Sequence, residues 1–396
     1  MCGIMLKHHG YNVTILEQDT LNFRPGYDAG ISLRGEAGAF LKAHDRVGRE
    51  MTIEGRPADD QPIPQRGLTL RNTSWGLLIR VLRANFDGLT SEAVPVAPAT
   101  REGDGAAIFK NCARVTDVTE IGEKMQVQFD NVRDGTTTSL SADMVVVADG
   151  STSSTRRALL PEVDRRYLGY MCWRGTVPEE LMEEKWNKKY SGKTTFEIMN
   201  ESYVIIYSIP TDEGDFRAGK RLHNWVWYSN MAEGSPETKN MFTDVKGVEH
   251  RGTVPRDLAR PEVWEKQKAA AKMSEGLASI MDKTSSPFLT KCSEVNVPRA
   301  QFFGGKMFLV GDAQTTLRPN VGMGSAHAAY DCNALEQVVV GKKTPEQWEK
   351  MVLRWSAAKQ KYAQAIACYG LGTKLQTLWH ALGWLLLLVR QKLGMA

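Results

Sequence analysis

Uninterrupted apolar runs, helical spacing and strand alternation follow one another along this chain in blocks. Val13–Leu16, Met144–Ala148 and Met307–Val310 are short apolar or β-branched runs. Such runs mark strands buried on both faces of a parallel sheet. Apolar residues at 75, 78, 79, 82 and 86 have the spacing of one helix face. Helices are also predicted near Glu36–Arg46, over 261–282, from about Gly322 to Val340, and over 345–369 and 373–392. Residues 2–9 read as the back end of a helix that Gly10 stops. The remainder of 18–60 reads as loop, and 107–146 as short alternating strands.

After Pro161 the texture changes. Tyr170–Val177, Tyr203–Ile209 and Asn224–Tyr228 are aromatic-rich strand candidates, and Asp212, Gly214 and Asp215 form a turn between the last two. The order is therefore α/β, then a mainly antiparallel sheet, then α/β again. This predicts one nucleotide-binding fold made from two parts of the chain, over 1–165 and 296–345. A sheet domain over 166–295 is inserted between them, and helices over 346–396 close the chain.

The 396 residues are enough for two or three domains, and the net charge of +4 is dispersed, with no basic arm suited to nucleic acid. The six cysteines have no CxxC spacing, so they read as reduced thiols of an intracellular, cytoplasmic protein. The histidines lack HExxH or HxH spacing, and no metal site is expected. Trp379–Val389 is an eleven-residue apolar run. A bilayer span needs about 20 residues. The run reads as a docking helix, or as an interfacial anchor flanked by Arg390 and Lys392.

Three constellations carry chemistry. Asp149-Gly150 follows a buried strand and precedes Ser153 and Arg156, which can donate to a pyrophosphate. Gly311-Asp312 follows another buried strand. Asp312 is placed to accept from a ribose or ribityl hydroxyl, and Gly322 and Gly324 bare amides at a helix start, where negative charge is favoured. Glu17 ends an early strand, where an acid can bind ribose hydroxyls.

In this order and at these separations the three resemble the class A flavoprotein monooxygenases, aromatic hydroxylases that bind FAD. The stretch Tyr167 to Val177, with Ser74-Trp75, Arg318-Pro319 and Val254-Pro255 through Trp264, is similar to the 2,6-dihydroxypyridine hydroxylase-like branch. The resemblance implies a p-hydroxybenzoate hydroxylase-like fold. It also implies an enzyme in which NAD(P)H reduces FAD and O2 forms a C4a-hydroperoxyflavin that hydroxylates an electron-rich aromatic or hydroxyazine-like ring. Its cofactor set here would be Glu17, Gly30, Asp149, Gly150, Arg156, Gly311, Asp312, Pro319, Gly322 and Gly324. Arg174, Tyr207 and His223 are the catalytic candidates, with His223 as the base on a ring hydroxyl. Positions 203, 205, 207 and 209 share one strand face, and 223, 225 and 227 share another. Gln314-Thr315 stands where many relatives carry Ala-His.

The family's first strand and its GxGxxG loop are not found in the sequence, which is expected to begin about a dozen residues late. A flavin-free binding or non-redox protein on the same scaffold is the alternative. A serine hydrolase lacks its GxSxG. A homodimer and a peripheral membrane contact through the C-terminal helix are the remaining partner expectations.

Overall fold

The computed structural model describes residues 1–23, 29–57 and 70–392, and for 391–392 the backbone only. The chain opens with α1 (Cys2–His8), β1 (Val13–Leu16), β2 (Gly30–Ser32), α2 (Gly35–His44), β3 (Ile53–Pro57), β4 (Leu70–Ser74) and α3 (Trp75–Asp87). Then come β5 (Ala107–Lys110), β6 (Ala113–Ile121), β7 (Lys124–Asn131), β8 (Thr137–Ala142), β9 (Val145–Val147) and α4 (Ser154–Leu159). The middle holds β10 (Arg166–Pro178), α5 (Glu184–Tyr190), β11 (Lys193–Met199), β12 (Ser202–Ile209), β13 (Leu222–Asn230) and α6 (Pro236–Met241). It continues through β14 (Thr253–Val254), α7 (Pro261–Ala270), α8 (Glu275–Asp282) and β15 (Phe288–Glu294). The end holds β16 (Gln301–Phe302), β17 (Met307–Leu309), α9 (Gly324–Val339), α10 (Pro345–Gly370) and α11 (Lys374–Lys392).

The buried apolar runs form short parallel pairs. β1 lies beside β5, and β9 lies beside β17, whose far edge takes β16 antiparallel. Among the described strands, β1 pairs only with β5 and β9 only with β17. Around these pairs one core joins Met5 of α1, Phe308 and Leu309 of β17, Cys332 and Leu335 of α9, and Trp348 of α10. Local signals set the helix ends. Ser74 Oγ accepts the Leu77 N–H at 3.1 Å to start α3, and Gly88 closes it in the left-handed conformation. Thr344 and Gln347 form a reciprocal cap on α10.

The aromatic strands build a long sheet, in the order β14-β15-β10-β13-β12-β11-β3-β4-β2. Its register pairs Trp173 with Trp227 and Gly175 with Trp225. Two sequence expectations give way here. β2 and β3, from the 18–60 stretch read largely as loop, and β4, for which the sequence predicts no element, extend this sheet, so the first third of the chain contributes strands to it. The helix expected over 261–282 is two helices. Ser274 accepts the Leu277 N–H and starts α8 afresh after the extended Ala271. Periodicity alone does not reveal such an internal cap.

The two faces of the long sheet are packed differently. Trp173, Trp225 and Trp227 face α7 and α8, with Trp264, Leu277 and Ile280 beneath them. Tyr203, Ile205, Tyr207 and Tyr228 lie on the opposite face. No helix among the described residues is long and apolar enough to cross a membrane.

Candidate functional site

One cavity of about 1990 Å³ runs from β1 past the β9 and β17 ends to the tyrosine face of the long sheet. Single small-molecule pockets span roughly 300–1,000 Å³, so this volume suits a dinucleotide-sized group with a second small molecule beside it.

At the parallel-strand end, Glu17 lines the cavity directly after β1. Its N–H donates to Lys110 O, and its Oε1 accepts the Asp19 N–H at 2.9 Å. Asp149 and Gly150 line it after β9, and the Thr155 N–H approaches Asp149 Oδ2 at 3.4 Å.

After β17, the backbone turns at Gly311 and presents Asp312 to the cavity. The Gly311 N–H donates to Asp331 Oδ2 at 2.8 Å, which locks the turn. Asp312 opens onto the cavity but is enclosed by protein elsewhere. This desolvation raises its carboxyl to about 6, against the opposing effects of Arg165 and Arg156. Asp331 is fully buried, and burial pushes its carboxyl well above the usual carboxylate range. Beside it, burial lowers His327 to about 3, which makes it a neutral imidazole. Ser356 Oγ, at 3.1 Å from both His327 Nε2 and Gln314 Oε1, completes this buried network beneath the turn.

Pro319 to Ser325 form the cavity wall opposite. A single turn of 3₁₀ helix, Pro319–Val321, ends at Gly322, whose φ of 58° suits glycine, and α9 begins at Gly324. Met323 supplies no side-chain cap, so the first-turn amides of α9 remain open at the cavity wall. The long sheet grips this loop, because Tyr170 Oη donates to Asn320 Oδ1 at 2.8 Å and Asn320 Nδ2 donates to Tyr203 Oη.

The far end is walled by Cys172, Arg174, Ile205, Tyr207, Val226 and Tyr228. The buried Nε of Arg174 has no partner, and its Nη2 approaches Gly30 O at 3.4 Å. Burial pushes the Tyr207 hydroxyl up to about 12, so it stays neutral. Gly30 sits at this end too. Its N–H donates to Asn224 Oδ1 at 2.7 Å, and a Cβ there would stand 2.5 Å from Tyr207.

Two site expectations fail on geometry. Arg156 does not line the cavity. It is buried, and its guanidinium donates to Ala313 O at 3.0 Å and Ser151 O at 2.8 Å, with Asp312 O at 3.4 Å. It ties the Asp149 turn to the Asp312 turn instead of meeting a pyrophosphate. His223 lies on the other face of β13, wholly buried, with Nε2 at 2.8 Å from Asn187 Oδ1. Burial lowers it to about 4. It cannot reach a molecule in the cavity, because alternation sends 224, 226 and 228 there and 223, 225 and 227 to the tryptophan core. Gly311 contributes by its turn and does not itself line the cavity.

Sequence reasoning missed Asn224, Asn320 and Asp331. Each is a polar side chain buried among apolar neighbours, and Asp331 on the Ala-rich face of α9 was the readable signal, since a buried acid needs a partner.

Residues 167–294 match the family described as FAD binding domain-like. The chain is 31% identical over 223 residues to a 2,6-dihydroxypyridine 3-monooxygenase of Paenarthrobacter nicotinovorans, a match covering 56% of this chain and 53% of that protein. It thus spans about half the length of that relative. The fold matches the structure of 2,6-dihydroxypyridine-3-hydroxylase from Arthrobacter nicotinovorans with a TM-score of 0.74 and 23% identity, over 94% of this chain and 90% of that one. Klebsiella pneumoniae HpxO, solved with FAD and uric acid, matches with a TM-score of 0.64 and 16% identity, over 96% and 88%. The chain is thus similar in sequence to an FAD binding domain-like family over 167–294 and to a 2,6-dihydroxypyridine 3-monooxygenase over about half its length, and it shares the fold of 2,6-dihydroxypyridine-3-hydroxylase.

Proposed function

We propose that this chain is an FAD-dependent, NAD(P)H-consuming monooxygenase that hydroxylates an electron-rich aromatic or hydroxyazine-like small molecule. The observation that carries this reading is the single cavity joining Glu17, Asp149, Asp312 and the α9 start to Arg174 and Tyr207. The residues present fit FAD. Glu17 would accept from the adenosine ribose and Asp312 from the ribityl chain, and the open α9 amides would favour negative charge on the bound group. Asp149-Gly150 lets backbone come close along the same wall. When bound, FAD supplies electron transfer from NAD(P)H, activation of O2 and delivery of one oxygen atom to the ring.

The chain's own share is orientation, charge and dryness. Arg174 faces the ring oxygen of the substrate and favours its ionised form, which makes the ring electron-rich. Tyr207, neutral at working pH, holds a hydrogen bond to the same ring. Ile205, Val226, Tyr228 and Leu317 exclude water from the reacting atoms. No histidine lines the cavity among the described residues, so the ionisation of a ring hydroxyl rests on the field of Arg174.

The test is an NAD(P)H oxidation screen against hydroxylated pyridines and phenols in the presence of FAD, with product analysis. Stimulated oxidation with a hydroxylated product supports the reading. Oxidation that no ring compound stimulates, or stimulation without hydroxylated product, overturns it.

A further inference from the structure

Helix α11 offers a surface that neither the cavity nor the core uses. Its inward side packs on α10, where the Trp384 and Tyr362 ring centroids lie 5.2 Å apart. Its outward side runs from Leu375 through Leu378, Trp379, Leu382 and Leu386 to Val389, all exposed. Leu375 is 86% exposed and Trp379 73%. The spacing of i, i+3, i+4, i+7, i+11 and i+14 makes one continuous stripe along the helix. It presents on the order of 700 Å² of apolar surface, above the roughly 300–600 Å² of the largest patch on a typical soluble monomer.

The charge pattern selects the occupant. Residues 374–392 contain no Asp or Glu, while Lys374 begins the helix and Arg390 and Lys392 stand near its end. In an antiparallel pair of α11 helices, Lys374 of one copy would meet Arg390 of the other, and a parallel pair would set like charge on like charge throughout. Neither arrangement has an acid to compensate. An anionic lipid surface meets both features at once. It takes the apolar stripe into its headgroup boundary and the terminal cations against its phosphates and carboxylates.

We propose that α11 is a membrane-surface helix that docks the protein, lying in the bilayer plane, on anionic lipid. The cavity then sits one helix from the lipid, because Tyr362 and Ile366 of α10 line it. The inference is independent of the flavin reading.

The test is co-sedimentation of the full chain with vesicles of phosphatidylcholine containing one third phosphatidylserine, and with pure phosphatidylcholine vesicles. The chain is expected to bind the anionic vesicles and to bind the neutral ones more weakly, by roughly fivefold for each engaged cation. Leu378→Glu/Leu382→Glu should cut the bound fraction at least about tenfold, and Lys374→Gln/Arg390→Gln should reduce the preference for anionic vesicles. Both pairs should leave the melting temperature and circular dichroism unchanged, since these side chains are exposed. Equal binding to both vesicle types overturns the proposal, as does no binding to either. A sedimentation-equilibrium dimer that Leu378→Glu/Leu382→Glu splits into monomers would assign the stripe to a second copy and overturn it as well.

Discussion

The two faces of β10, β12 and β13 have similar composition and opposite environments. One face sets Trp173, Trp225 and Trp227 against Trp264 in a dry core, with His223 enclosed among them. The other sets Arg174, Asn224 and Tyr207 at the end of a large cavity. Both faces are aromatic, and both carry buried polar groups. What separates them is what covers them. Helices α5, α7 and α8 close the first, and the loop held by Asn320 and the ends of the short parallel strands leave the second open. Aromatic content therefore does not tell a substrate wall from a core; the elements that cover each face do.

Truncation on the core face should have the largest effect. Trp225 is fully buried, and its Nε1 donates to Thr284 Oγ1 at 2.9 Å. Trp225→Ala is expected to cost about 3–5 kcal/mol of stability in urea unfolding. A loss below about 1 kcal/mol would show that this face is not the core.

Arg174→Met, on the cavity face, should lower turnover about a hundredfold, near 2.7 kcal/mol. The melting temperature should hold within a few degrees. Turnover unchanged with stability lost would move Arg174 to the structural side of the comparison.

The third prediction concerns pH. His223 sits at about 4 in the folded chain against an ordinary 6.5. Between those values the unfolded chain binds more protons, so stability falls as pH drops from 6.5 towards 4. His223→Gln should abolish about 2 kcal/mol of that fall while leaving the pH profile of turnover in place. A changed turnover profile would return His223 to the reaction.

The smallest effect belongs to Asp312, whose carboxyl is raised from 3.8 to about 6. Here the folded chain binds more protons between those values, so stability falls as pH rises through the window. Asp312 is open to solvent on its cavity side, which screens its charge. Asp312→Asn should therefore stabilise the FAD-free chain by only about 1 kcal/mol at pH 7 and by nothing below pH 4. Its FAD affinity should fall as well. Equal stability at both pH values would place Asp312 in an ordinary solvated environment.

Much of the fold was legible because its signals are local. The runs that became β9 and β17 are too apolar and too short for anything but buried strands, and each is followed by a turn whose glycine and acid are adjacent in sequence. The caps on α3 and α10 are likewise within four residues of their partners. What was not legible depends on distant covering elements. Period two showed that 223, 225 and 227 travel together, but only α5 and Trp264 decide that they face inward. Arg156 looked like an anion donor from its place after Asp149-Gly150. Its true partners, the carbonyls of Asp312 and Ala313, lie more than 150 residues away. Asn224 was hidden for the same reason, since the Gly30 amide it accepts is 194 residues off.

The central claim is that the cavity wall formed by Glu17, Asp149, Asp312 and the α9 start holds FAD. The most direct measurement is a titration of the purified chain with FAD, followed by flavin fluorescence and by the melting temperature, in parallel with Asp312→Ala. The account predicts quenching that saturates at about one flavin per chain and a raised melting temperature, both weakened in the variant. A chain that neither quenches FAD nor shifts its melting temperature, or an Asp312→Ala variant that binds FAD as the parent does, would contradict it.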